Sequence, residues 1–243
     1  MSIAPSAASC NHLLAALPQR ELLQLLDKCE AVDLKFGEIL AEPGEPIRHV
    51  YFPTHSAIVL VTLMDDRASL EVGLVGNEGI VGTALVLDME VSPQRALVQV
   101  PGAALRMEAD LFRQALEHCP ELQHVLKRYV HAVMAQLAQT AGCTRFHVVE
   151  ARLARWLLMT RDRAHADSFH VTHEFLAQVL GVRRVGITRA ATTLQARGLI
   201  RYARGNITIL ERARLEAAAC GCYAADKLSY AHSMAHPPQR PAA

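Results

Sequence analysis

The sequence predicts an α+β chain: an N-terminal β-roll of jelly-roll type, a long helix, and a C-terminal winged helix-turn-helix. Three observations carry that expectation. Residues 35–107 hold short Val/Ile/Leu-rich stretches separated by turn residues. Residues 121–142 place apolar side chains at steps of three and four. Residues 173–193, HEFLAQVLGVRRVGITRAATT, set a small residue, a glycine and a branched residue where two crossing helices need them.

In chain order, residues 11–30 predict an amphipathic helix with Leu14, Leu17, Leu22, Leu25 and Leu26 on its apolar face. Strands follow at Val50–Phe52, Ala57–Met64, Leu70–Val75, Ala96–Val100 and Ala103–Met107. Pro43-Gly44, Asp65-Asp66, Gly76-Asn77 and Pro101-Gly102 supply the turns. Many short strands at such spacing favour a roll or barrel over a flat sheet. A helix over 108–117 ends at His118-Cys119-Pro120. The long helix then carries Leu122, Leu126, Tyr129, Val133, Leu137 and Ala141, close to a coiled-coil stripe. That stripe either pairs with a second copy or packs on the chain's own roll. Gly142 is expected to end it as a hinge, with a further helix from Phe146 to Arg161. The expected units are 11–119 (roll), 120–145 (stalk and hinge), 146–223 (winged unit) and 224–243 (flexible tail).

Within 173–193, Ala177 lets the helices approach, Gly181 takes the turn, and Ile187 plugs the interface, with Leu176, Leu180, Val182 and Ala190 completing it. Arg183, Arg184, Arg189 and Thr193 are left on the start and outer face of the second helix, the part that enters a major groove. Leu199 to Leu210 then read as a hairpin around Gly205-Asn206, the wing, with Arg201 and Arg204 placed for phosphates. Charge separates the two halves. Residues 145–214 hold 13 Arg, no Lys and 5 acidic residues, a net of +8, whereas residues 1–144 carry a net of −7. A basic segment carried by an acidic one is the footprint of a nucleic-acid-binding unit joined to another domain.

The remaining features are mostly exclusions. No apolar run approaches a membrane span. The N-terminus lacks the basic region of a secretory signal. Cys10, Cys29, Cys119, Cys143, Cys220 and Cys222 form no CxxC pair, so reduced thiols and a cytoplasmic location are expected. Cys220 and Cys222 alone make an incomplete metal site, and Cys143 beside the expected hinge gains no role. No metal is therefore expected. No nucleophile elbow, P-loop or dinucleotide fingerprint is present, so an enzyme is not expected.

Roll, long helix and winged helix-turn-helix in this order resemble the Crp/Fnr superfamily of bacterial transcription regulators, over about residues 13–215. The local marks are Phe36-Gly37-Glu38-Ile39-Leu40 with Pro43-Gly44, Asn77-Glu78-Gly79, Gln94-Arg95-Ala96-Leu97-Val98, and Phe146 through Leu158. The resemblance implies a cyclic-nucleotide-binding-like roll and a homodimer on a pseudo-palindromic double-stranded DNA site, with RNA polymerase as a candidate partner. It places base contacts at Arg184, Val185 and Arg189, and phosphate contacts at Thr172, Gln178 and Arg183. Its cyclic-nucleotide pocket is not retained. Glu78 matches the ribose carboxylate, but Gln94 stands at the phosphate arginine's position, with Arg95 one residue late. Leu137-Ala138 replace a Thr-Ser pair of the long helix. A one-residue slip turns a strand side chain to the opposite face, and burying an anion without partners is costly. Cyclic AMP is therefore not expected as effector. An iron–sulfur cluster is not expected either, since Cys10 and Cys29 have no third cysteine nearby. The expectation is a transcription regulator whose roll senses another small ligand, if any; the alternative is a ligand-binding signalling module with little specific DNA binding.

Overall fold

A computed structural model of the chain describes residues 10–64 and 68–235. The expected turn at Asp65-Asp66 and the end of the expected tail, 236–243, lie outside the described residues. The chain opens with two helices, α1 (His12–Ala15) and α2 (Gln19–Leu26). One helix over 11–30 is not formed, because Pro18 between them lacks the N–H that would carry the ladder across. Asn11 caps α1 by accepting from the amides of Leu13 and Leu14, and its Nδ2 donates to the Pro53 and Gly79 carbonyls. That buried side chain ties the N-terminal helices to the roll.

The roll contains β1 (Glu30–Leu34), β2 (Ile39–Ala41), β3 (His49–Pro53), β4 (Ala57–Met64), β5 (Ala68–Val75), β6 (Arg95–Val100) and β7 (Gly102–Glu108). They form two antiparallel sheets, ordered β1-β7-β3 and β2-β6-β4-β5. Leu34, Tyr51 and Ala104 of the first sheet meet Ile58, Val75, Ala96 and Val98 of the second to fill the interior. The second sheet is covered on its outer face too. There Val59, Val61 and Leu74 share a core with Trp156, Phe169 and Leu176 of the C-terminal half. Burial on both faces explains why β4 reads AIVLV rather than alternating with polar residues.

After α3 (Ala109–His118) comes α4 (Pro120–Phe146), the long helix. It runs through Gly142 without a break. A mid-helix glycine costs only about 1 kcal/mol, and the chain link falls instead at His147-Val148, before α5 (Val149–Ala164). The apolar stripe divides. Leu122, Leu126 and Tyr129 are buried in the core that α1, α2 and α3 share with the roll, whereas Met134 (63% exposed), Leu137, Ala138 and Ala141 face outward.

The winged unit adds β8 (Ser168–His170), α6 (His173–Val179), α7 (Arg184–Ala196), β9 (Ile200–Ala203), β10 (Asn206–Ile209) and α8 (Arg212–Ala218). The expected tail is in part structured: α9 (Cys222–Met234) packs along α4. Tyr230 donates to the Glu78 carbonyl at 2.7 Å, Arg128 donates to the Ser233 carbonyl, and Asp226 pairs with Arg155. Ion pairing and burial of Tyr223 hold a segment whose alanine-rich composition resembles a loose end.

The winged unit rests on the roll. Trp156 Nε1 donates to Glu71 at 2.9 Å, Arg163 pairs with Glu78 at 2.7 Å, and Gln99 donates to the His170 carbonyl. Contact is close at Gly76, where an added Cβ would lie 2.3 Å from that of Arg163, so any side chain there would push α5 away. Among the described residues no helix is long and apolar enough to cross a membrane.

Candidate nucleic-acid interface

Thr172 caps α6, its hydroxyl accepting from the Phe175 amide at 3.1 Å. Leu176 and Ala177 are buried toward α7, and the turn passes through Gly181 at φ 61°, a conformation open to glycine at little cost. On α7, Ile187, Ala190, Ala191 and Leu194 are buried. That fixes which side looks out: Arg183, Arg184, Val185 (73% exposed) and Arg189 are all exposed. Thr193 is only half-buried and its hydroxyl returns to the Arg189 carbonyl. No side chain caps the N-terminus of α7, so its first amides stay available to an anion.

The wing completes the surface. β9 and β10 pair antiparallel, and β8 adds a third strand beside β10 that the sequence did not announce. The two turn residues are Arg204 (φ 51°) and Gly205 (φ 80°), with Asn206 already in β10. Two successive positive φ values give the hairpin its tight turn. One groove is lined by Thr172, His173, Arg184, Tyr202 and Arg204, joining the start of both helices to the wing. His173 stacks on Tyr202 at 4.3 Å and contacts the Thr188 hydroxyl. Burial, then the Arg184 charge, lowers its pKa, so it braces the groove as a neutral ring.

Thr172, Arg184 and Arg204 are thus brought together, Arg183, Val185 and Arg189 continue the same exposed surface, and Arg201 is exposed on β9. Gln178 is separate. It is exposed on α6, away from that groove, and lines a crevice between α6 and the roll with Phe175, Glu71 and Arg95.

The residues expected at an effector pocket do not converge. Arg95 points out of the roll, pairs with Glu42 at 2.9 Å and lines that crevice. Ala96 and Val98, one register away, take the interior. Gln94 accepts from the Ser92 hydroxyl through its carbonyl. Leu137 and Ala138 lie on the exposed side of α4, and Glu78 is engaged by Arg163. Glu78 alone of these lines a cleft between roll, α4, α5 and α9, with Tyr129, Asp162, Arg163, Asp226 and Tyr230 also on its wall.

The cysteines also differ from expectation. Cys220 and Cys222 are joined by Cys143 and His147, so the pair is not isolated. Cys143 Sγ and Cys220 Sγ lie 3.5 Å apart in a hydrogen bond that either thiol can donate, and that bond lowers the Cys143 thiol pKa. Spacing could not reveal this, because the partners lie 77 residues apart.

Comparison with known proteins agrees with this anatomy. The model of the Crp-like helix-turn-helix domain matches residues 151–218, and that of the cyclic nucleotide-binding domain matches residues 31–119. The global nitrogen regulator of Nostoc sp. is 24% identical over 176 residues, 69% of this chain and 79% of that one. The CRP-like cAMP-activated global transcriptional regulator of Mycobacterium tuberculosis is 22% identical over 198 residues, covering 79% and 88%. FixK2 from Bradyrhizobium japonicum shares the fold, with a TM-score of 0.66 at 15% identity over 79% of this chain and 98% of that one. With both domains present in that order and a long helix between them, the chain belongs to the Crp/Fnr superfamily of transcription regulators.

Proposed function

We propose that two copies of this chain, paired along α4, read a pseudo-palindromic DNA site in the cytoplasm through their α7 helices. The observation that carries this reading is the two-sided character of α7: one side locked by Ile187, Ala190 and Leu194, the other presenting Arg183, Arg184, Val185 and Arg189. Arg184 and Arg189 suit guanine O6 and N7, and Val185 suits a thymine methyl. Arg201, Arg204 and the Thr172 end of the groove suit backbone phosphates, which position without reading sequence. The outward Met134, Leu137, Ala138 and Ala141 of α4 give a second copy an apolar surface to cover.

The effector, on this reading, is a small molecule other than cyclic AMP. Arg95 faces away from the roll interior, so a phosphate buried there would lack its counter-charge, and Glu78, the match to the ribose carboxylate, is already paired with Arg163. The cleft against α9 is the better place. A ligand there touches the roll, the stalk and the winged unit together, and it shifts their arrangement only by binding one arrangement more tightly.

Arg184→Ala tests the base-reading role. Affinity for a cognate fragment recovered from a genomic library is expected to fall roughly 10- to 100-fold. Weak, salt-sensitive binding to random DNA should stay nearly unchanged. Fluorescence anisotropy on both duplexes measures this, and equal loss on the two would assign Arg184 to a phosphate.

A further inference from the structure

Four metal-ligating side chains converge where the stalk meets the winged unit. Cys143 lies in the last turn of α4, His147 in the link to α5, and Cys220 and Cys222 flank Gly221 between α8 and α9. Their ligand atoms all lie within 4.8 Å of one another. Cys143 Sγ stands 3.5 Å from Cys220 Sγ, and Cys222 Sγ stands 3.5 Å from His147 Nδ1. The three thiols are buried, and the imidazole is exposed.

We propose that Cys143, His147, Cys220 and Cys222 bind one zinc ion that staples the end of the stalk to the winged unit. A tetrahedral ion with zinc–sulfur bonds of about 2.3 Å sets its sulfurs about 3.8 Å apart. The Cys143–Cys220 and Cys222–His147 pairs are already within a few tenths of an ångström of such an edge, and the others, all within 4.8 Å, need to close by about 1 Å at most. Three thiolates and an imidazole form a soft, complete donor set, which suits zinc and leaves no open position for catalysis. A two-iron cluster would divide four ligands between two metals and hold the pairs further apart than this.

The surroundings match a metal's outer contacts. Gln139 Nε2 donates to Cys222 Sγ at 2.9 Å, fixing that ligand. Zinc with three thiolates leaves one net negative charge, and the buried Arg152 and Arg155 on α5 lie close enough to act on Cys143. The Cys220 amide donates to the Ala151 carbonyl, so the turn is joined to α5 before any metal arrives. The ion would fix the His147-Val148 link, about which the winged unit is oriented on the stalk.

The experiment uses the full chain, reduced and stripped with a chelator, then titrated with zinc(II) against a chromophoric competitor. One zinc per chain is expected. Cobalt(II) in its place should give a thiolate-to-cobalt charge-transfer band and the visible bands of tetrahedral coordination. Cys143→Ser and Cys220→Ser should each weaken binding by more than about 100-fold, the upper end for losing only an outer contact. Cys119→Ser, at the far end of α4, should bind like the parent. If a buried-thiol variant fails to fold, His147→Ala removes the exposed ligand, and its weaker zinc binding carries the test. The proposal is overturned by negligible zinc uptake in the reduced protein, by unchanged affinity in the ligand variants, by octahedral cobalt, or by a Cys143–Cys220 disulfide that persists in reductant and blocks uptake.

Discussion

Arg155→Met is expected to lower the unfolding free energy by about 3–5 kcal/mol, the usual cost of removing one partner from a buried ion pair. Arg155 and Asp226 keep 8% and 9% of their side chains exposed and meet at 2.6 Å. Arg155 also donates to the Thr140 hydroxyl, so one guanidinium joins α4, α5 and α9. Burial raises the Asp226 pKa, and the Arg155 charge and hydrogen bonds oppose that rise. Without Arg155 the carboxyl rises further above its unfolded value and takes up a proton on folding. The penalty is then mildest at acid pH and deepens as pH rises. Urea unfolding at pH 5 and pH 8 reads both effects. Arg155→Met with Asp226→Leu should recover much of the loss, since a well-packed apolar pair often replaces a buried ion pair without cost. A single variant as stable as the parent at pH 8 would contradict this.

The second large effect is a pH slope set by Glu71. Its carboxyl group lies under the winged unit and accepts from Trp156 Nε1. Burial pushes its carboxyl up to about 8 from an ordinary 4.5, while the Trp156 hydrogen bond and the Arg163 and Arg155 charges pull the other way. Between those values the folded chain holds a proton that the unfolded chain has released. The contribution of this contact is therefore complete below about 4.5, declines by at most about 1.4 kcal/mol per pH unit across the window, and levels off above about 8. Glu71→Gln keeps an acceptor for Trp156 and carries no charge, so it should flatten that part of the slope and exceed the parent in stability at pH 8. Parallel stability curves for parent and variant from pH 5 to 8 would show that Glu71 keeps an ordinary carboxyl.

What the sequence made legible follows from how local each signal is. Ala177, Gly181 and Ile187 report a contact between neighbouring helices, so their spacing alone located the turn and the outward arginines. The slip from Gln94 to Arg95 is also local, and the side-chain alternation of β6 turned Arg95 outward as the period requires. Longer-range matters were out of reach. Gly142 looked like a break, yet α4 packed on α9 and the roll carries the helix past it. In α9, Cys222, Asp226, Tyr230 and Met234 recur every four residues, a periodicity that could have exposed the helix had its polar members not resembled solvent positions. The cysteine and histidine cluster depends on two turns meeting in space, which spacing along the chain does not encode.

The central claim is that two α7 helices enter successive major grooves on one face of a duplex. Hydroxyl-radical footprinting on a fragment selected from genomic DNA tests it most directly. Two protected patches, centred about 10 base pairs apart on one face of the helix and both lost in Arg184→Ala, are the predicted result. A single protected patch, or protection that persists unchanged in that variant, would contradict it.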